Sequence, residues 1–237
     1  MPDPPPRPAD VRDGVVLGAA VGLFGVTFGV LATTSGLGVA QACAMSLLVF
    51  TGASQFAAVG VLAAGGSPAS ALGSALLLAA RNGVYGLALH RTLRGPRLRR
   101  LLAAQLVIDE STAMALGQAD PRHAARAFWV TGVSVFVFWN LGTLAGALGG
   151  DALGDPERWG LDAAFPAGFI ALAVPHLATR AGRVAAVTGA VVALVAVPLT
   201  PAGAPILLAS LGAVVALRVA PGPGEPGPDD IVRDPAP

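Results

Sequence analysis

Cysteine, lysine and charge of either sign are what this 237-residue chain has least of. Its single cysteine, Cys43, excludes an internal disulfide and a cysteine-ligated metal within the chain. No lysine occurs, so the fifteen basic residues are all arginine. With a net charge of +1 and only 12% charged residues there is no basic surface of the kind that holds nucleic acid, and no nucleic-acid partner is expected. The three histidines are scattered and no HExxH pair occurs. A GxxxxGK[ST] phosphate loop and a GxSxG nucleophile turn are missing too, which removes P-loop nucleotide chemistry and serine hydrolysis. The chain is not expected to be an enzyme, and neither metal nor cofactor is expected.

What is present is apolar. Hydrophobic residues make up 54% of the chain and its mean hydropathy is +0.69, far above an ordinary soluble domain. Several segments approach the roughly 20 residues that a helix needs to cross a hydrocarbon core, while the period-two alternation of barrel strands is missing. The expected fold class is therefore an all-α polytopic membrane protein with about 6–8 transmembrane or re-entrant segments. Residues 14–220 form the expected membrane domain. The Pro-rich segment 1–13 and the Pro/Gly-rich acidic tail 221–237 are expected to be disordered.

Along the chain, a first helix over 14–34 carries Gly14, Gly18, Gly22, Gly25 and Gly29 at three- and four-residue steps, a face that lets another backbone approach closely. Packing within the chain is the expected use of that face. The next apolar stretch, 39–64, holds Thr51-Gly52-Ala53-Ser54-Gln55-Phe56 at its middle. Such polarity predicts an unwound helix, whose free amides near Gly52 and Ser54 would suit an anionic group. The alternative is a continuous helix with Ser54 and Gln55 bonded to a neighbour. A third helix, 67–89, contains Arg81, which either snorkels to the interface or pairs with Asp109, Glu110 or a substrate carboxylate. A fifth, 124–148, carries Asn140, expected to bond across helices. Irregular helix follows from about 160 to 176, where His176 reads as interfacial, and plain helices over 184–199 and 204–219 look like scaffold.

Two adjacent carboxylates, Asp109 and Glu110, interrupt the apolar window 101–116. Each costs roughly 2.5–3.5 kcal/mol at the centre of a spanning helix, so the pair is expected to serve a function, as a site for an ammonium group or for proton coupling. The five arginines between 91 and 100 mark a cytoplasmic connection, and Arg122 and Arg126 mark a second. The acidic stretch 151–162 should lie outside. Two basic connections cannot flank a full crossing, so 101–118 is expected to dip in, bend near Asp109 and return. With a cytoplasmic N-terminus the same reasoning applies to 39–64. Two such elements entering from opposite faces would resemble the inverted repeats of secondary transporters. If instead the N-terminus is outside, 39–64 crosses.

The succession of these motifs resembles one known family. Phe24-Gly25 and Phe28-Gly29 come first, then Ser46 with Thr51 to Phe56, Arg81 with Tyr85-Gly86, Asp109-Glu110, and Gly160-Leu161-Asp162. In this order they resemble the AzlC family of branched-chain amino acid exporters. The resemblance implies a bacterial inner-membrane permease that exports leucine, isoleucine, valine and methionine together with a small hydrophobic AzlD-type subunit. Where the family often has Asn two residues before the Arg and His directly after it, this chain has Ala79 and Asn82. Gly52, Ser54, Gln55, Arg81, Asp109 and Glu110 are the candidate site residues. A channel, or an accessory subunit with no site of its own, remains the alternative.

Overall fold

The computed structural model describes residues 11–153, 158, 160, 163, 166, 167, 170, 173–220 and 222. The described residues are helical, with no strand among them. They fall into two compact units, one made of 1–55, 79–161 and 237, the other of 56–78 and 162–236. Two helices, α3 (Ala53–Ala63) and α4 (Pro68–Ala88), run from one unit into the other.

The first unit is built on two long helices, α1 (Val11–Thr34) and α7 (Pro121–Leu153). They are the two described helices long and apolar enough to cross a membrane. Their seam is backbone against backbone. A Cβ at Gly14 would meet Val130 and Thr131, one at Gly18 Ser134, one at Gly22 Phe138, and one at Gly29 the carbonyl of Thr143. From the other side, Gly142 and Gly146 bring their Cα atoms onto the carbonyls of Gly22 and Val26. The glycine face of α1 thus packs within the chain, and its partner carries glycines at the complementary step. Because the contacts climb both helices together, α1 and α7 run parallel, and residues 11–14 lie at the same end as 121–130.

Each boundary has a local cause. α1 starts at Val11, so the segment expected to be disordered to residue 13 is helical from 11 onward, with Asp13 placing negative charge in the first turn where the helix dipole favours it. Residues 1–10 lie outside the described residues. α7 begins where the Asp120 carboxylate accepts the N–H groups of Arg122 and His123, at 2.8 and 3.0 Å. It runs to Leu153, past the expected end at 148, and the first residues of the acidic stretch are helical. Asn140 bonds within its own helix, its Nδ2 donating to the Phe136 carbonyl at 2.8 Å rather than reaching across, because the carbonyl one turn back is the nearer acceptor.

In the second unit, the helix α8 (Arg180–Ala196) packs against two short helices, α9 (Ala204–Ala209) and α10 (Leu211–Ala216). The span expected to be one plain helix over 204–219 is therefore divided at Ser210, whose hydroxyl donates to the Leu207 carbonyl at 2.6 Å. A 3-10 turn, Val174–Ala178, precedes α8, and His176 in it is exposed. Most of 154–172, with the expected helix leading to Pro175, lies outside the described residues. So does the tail from 223 onward.

Candidate functional site

Both segments that carry polar residues at mid-length are interrupted. The stretch expected to be unwound at Thr51 ends its first helix, α2 (Val39–Leu48), and resumes only at Ala53. Between them Gly52 has φ of +57°, a left-handed conformation that side chains with a Cβ adopt at a cost. The Gly52 N–H donates to Gln55 Oε1 at 3.2 Å, so the third residue of α3 reaches back to satisfy the amide ahead of the helix. The second interruption divides α5 (Arg97–Gln105) from α6 (Asp109–Leu116). Here Ser111 does the work of Gln55, its Oγ accepting from the Ile108 N–H at 3.2 Å while donating to the Leu106 carbonyl at 2.6 Å. Both restarts therefore use one device.

α7 serves as a ruler that puts these pieces in order. Arg99 stands over the Trp129 ring at 5.8 Å, and Leu106 abuts Gly132. Higher up, Phe50 meets Phe136 edge to face at 5.0 Å, Gly52 lies against the Trp139 ring, and Ser46 Oγ bonds Thr143 Oγ1 at 3.1 Å. Hence α5 approaches from the Pro121 end and α2 from the opposite end, and the two chains break at adjacent levels near the middle of a 33-residue helix. A direct bond joins them, Gln105 Nε2 to the Leu47 carbonyl at 2.9 Å. At about 1.5 Å per residue neither the nine residues of α5 nor the eight of α6 reaches half of a roughly 30 Å hydrocarbon layer, and neither crosses it alone.

The charged groups collect at the start of α6. Arg81 Nη2 lies 2.7 Å from Asp109 Oδ2, with the two side chains 31% and 24% exposed. Of the two readings of Arg81, the structure thus has the guanidinium turned onto the carboxylate. The Tyr85 hydroxyl, one turn along α4, faces the same carboxylate. Asp109 and Glu110 occupy the first turn of α6, where unpaired amides favour negative charge. Glu110 has no ion-pair partner among the described residues. At the other break, Ser54 and Gln55 are 1% and 0% exposed. Ser54 Oγ and Gln55 Nε2 nonetheless lack a hydrogen-bond partner in the chain, as does Thr51 Oγ1.

Of the six residues singled out from sequence, the structure joins Arg81 to Asp109, places Glu110 beside them, and joins Gly52 to Gln55 with Ser54 between. Sequence reasoning missed Gln105, Ser111 and the Ser46–Thr143 bond. Ser111 was findable, since it stands three residues after Ile108, where a helix restarting at Asp109 needs an acceptor. Gln105 offered no local signal, because its partner lies 58 residues away. Chemically, one break presents enclosed donors at a helix start, and the other presents a carboxylate whose neighbour is already neutralised.

Comparison with known proteins fits this geometry. The family described as "AzlC protein" matches residues 16–153, from the second turn of α1 to the end of α7. A membrane protein of Helicobacter pylori named as uncharacterized is 27% identical over 199 residues, covering 83% of this chain and 87% of that protein. Another uncharacterized membrane protein, from Haemophilus influenzae, is 28% identical over 134 residues, covering 55% of this chain and 54% of its own length. No solved structure matches the chain. The matched stretch takes in both breaks, the Arg81–Asp109 pair and the seam from Gly18 onward, and the chain belongs to the AzlC family.

Proposed function

We propose that this AzlC-family protein is the permease subunit of a secondary transporter that exports branched-chain amino acids across the bacterial inner membrane. The observation that carries the reading is the meeting of two interrupted helices halfway along α7. Interrupted helices at mid-depth are how carriers expose backbone amides and carbonyls to a substrate without leaving them in lipid. In this reading the substrate carboxylate is bound at the start of α3, by the amides there and by Ser54 and Gln55, which have donors to spare. Its ammonium is taken by Glu110, because Asp109 is already held by Arg81. Proton coupling runs through the same pair of acids. A small apolar side chain fits the surroundings, since Phe50 and Trp139 are enclosed near the breaks.

The same reading makes α2–α3 and α5–α6 two re-entrant elements of a multi-pass protein with about 6–8 membrane segments, related by inverted topology. The shared cap, Gln55 in one and Ser111 in the other, supports that relation. A small hydrophobic AzlD-type subunit completes the transporter. The test is counterflow of labelled leucine in proteoliposomes, with and without that partner. Accumulation against an unlabelled internal pool identifies a carrier. Simple equilibration, unaffected by Glu110→Gln, would identify a channel and overturn the proposal.

A further inference from the structure

Helix α5 has three faces: one holds it to the protein along its length, the second touches the protein at its far end, where Gln105 bonds the Leu47 carbonyl, and the third carries arginines. Successive residues turn by about 100°, which puts Arg99 and Ala103 on one side, Leu98, Leu101 and Leu102 on a second, and Arg97 and Arg100 on a third. The first face holds the helix to the protein. Arg99 stands over Trp129 at 5.8 Å and donates to the Arg94 carbonyl at 3.4 Å, and Ala103 is buried. On the second face Leu98, Leu101 and Leu102 are 68%, 69% and 53% exposed. The third is basic and continues into Arg91 and Arg94, all four arginines being exposed. None of the four has a carboxylate partner among the described residues.

Two adjacent exposed faces, one apolar and one cationic, on a helix held to its protein by the remaining side, suit a molecule with the same two parts. We infer that α5 and the 91–94 turn form a binding site for an anionic phospholipid, with the acyl chains along Leu98, Leu101 and Leu102 and the phosphate against Arg97 and Arg100. Free phosphate shares the headgroup chemistry but makes no use of the leucines. A zwitterionic lipid uses the leucines but brings a cation to an already cationic edge. The site is independent of the substrate reading and lies on the same helix as Gln105, which reaches the other break. Occupancy therefore fixes the position of one interrupted helix against its neighbour.

The experiment titrates the purified protein in neutral detergent with phosphatidylglycerol, phosphatidylcholine or inorganic phosphate. It reads the shift in Tm and the lipid retained in native mass spectrometry. Phosphatidylglycerol is expected to raise Tm and remain bound, with the other two giving no comparable shift. Arg97→Gln/Arg100→Gln should weaken the apparent affinity for phosphatidylglycerol about 30-fold, while the charge-matched control Arg180→Gln/Arg218→Gln keeps it. Should the first variant fail to fold, Leu98→Ser/Leu101→Ser tests the acyl face with every charge retained, and is expected to lose the phosphatidylglycerol shift as well. An equal response to phosphatidylcholine or to inorganic phosphate overturns the assignment. So does equal weakening by the control pair, which would reduce the effect to net charge.

Discussion

Replacing Asp109 with Asn leaves the Arg81 guanidinium without its counter-charge. At the 2.7 Å contact two unit charges about 4 Å apart attract by about 4 kcal/mol at an effective dielectric of 20, before the cost of removing water from each. Removing one partner costs about 3–5 kcal/mol in fully buried pairs and at most about 1 kcal/mol in exposed ones. With side chains 31% and 24% exposed this pair falls between, and Asp109→Asn is expected to cost about 2 kcal/mol. For a chain of this size that is a fall in Tm of about 4–8 °C. Arg81→Gln should cost less, since the stranded Asp109 still faces the amides that open α6. The double variant, Arg81→Gln/Asp109→Asn, strands no charge and should recover most of the lost stability. Thermal unfolding of all four proteins in one detergent gives the coupling directly. If the double variant falls by the sum of the singles, the two groups are not a coupled pair and the argument fails. Transport assayed on the same proteins separates stability from function: export should stay absent in the recovered double variant.

Three further outcomes follow from the same geometry. Gly52→Ala is expected to weaken leucine-induced stabilisation and to cost about 1–2 kcal/mol through its left-handed backbone, although a Cβ has room 3.6 Å from Trp139; Gly52→Leu should abolish the ligand shift, and an unchanged shift would move the substrate elsewhere. Gly146→Val forces a branched side chain into the Val26 carbonyl and should cost at least about 3 kcal/mol, seen as loss of folded protein in fluorescence-detected gel filtration; normal yield would contradict the seam. In a Cys43→Ala background, single cysteines at Gly95 and Ala119 should be labelled from the same side of the membrane, because Arg99 and Trp129 hold those connections at one end of α7; opposite labelling would mean that 101–118 crosses.

How far the sequence could be read depended on how local each cause was. The interruption before α3 was legible because Gly52 and its polar neighbours are unfavourable in a continuous apolar helix. The second was legible because two carboxylates in a row cannot share one helical face. The glycine step of α1 showed that a backbone would come close. It did not show that the partner would be α7, which depends on Gly142 and Gly146 more than a hundred residues later. Arg81 remained open between an interface and a carboxylate, since a sequence has no depth. Asn140 was misread because an amide on a long helix can bond to its own preceding turn as easily as to a neighbour. Boundaries shifted by a few residues wherever a cap decided them, as Asp120 does for α7.

The α1–α7 seam has a mechanical consequence. Ordinary helix interfaces can slide by small amounts because their side chains exchange rotamers and take up the strain. Where carbonyls rest on Cα atoms, at Gly25, Gly29, Gly142 and Gly146, there are no rotamers to exchange, so that part of the seam has little shear compliance. Working strain introduced at either break cannot be dissipated along that seam. In the proposed transporter it passes instead into the segments that lean on α7 through side chains, Phe50 on Phe136, Ser46 on Thr143 and Arg99 on Trp129, so that α1 and α7 act as the stator and the two interrupted helices as the moving parts.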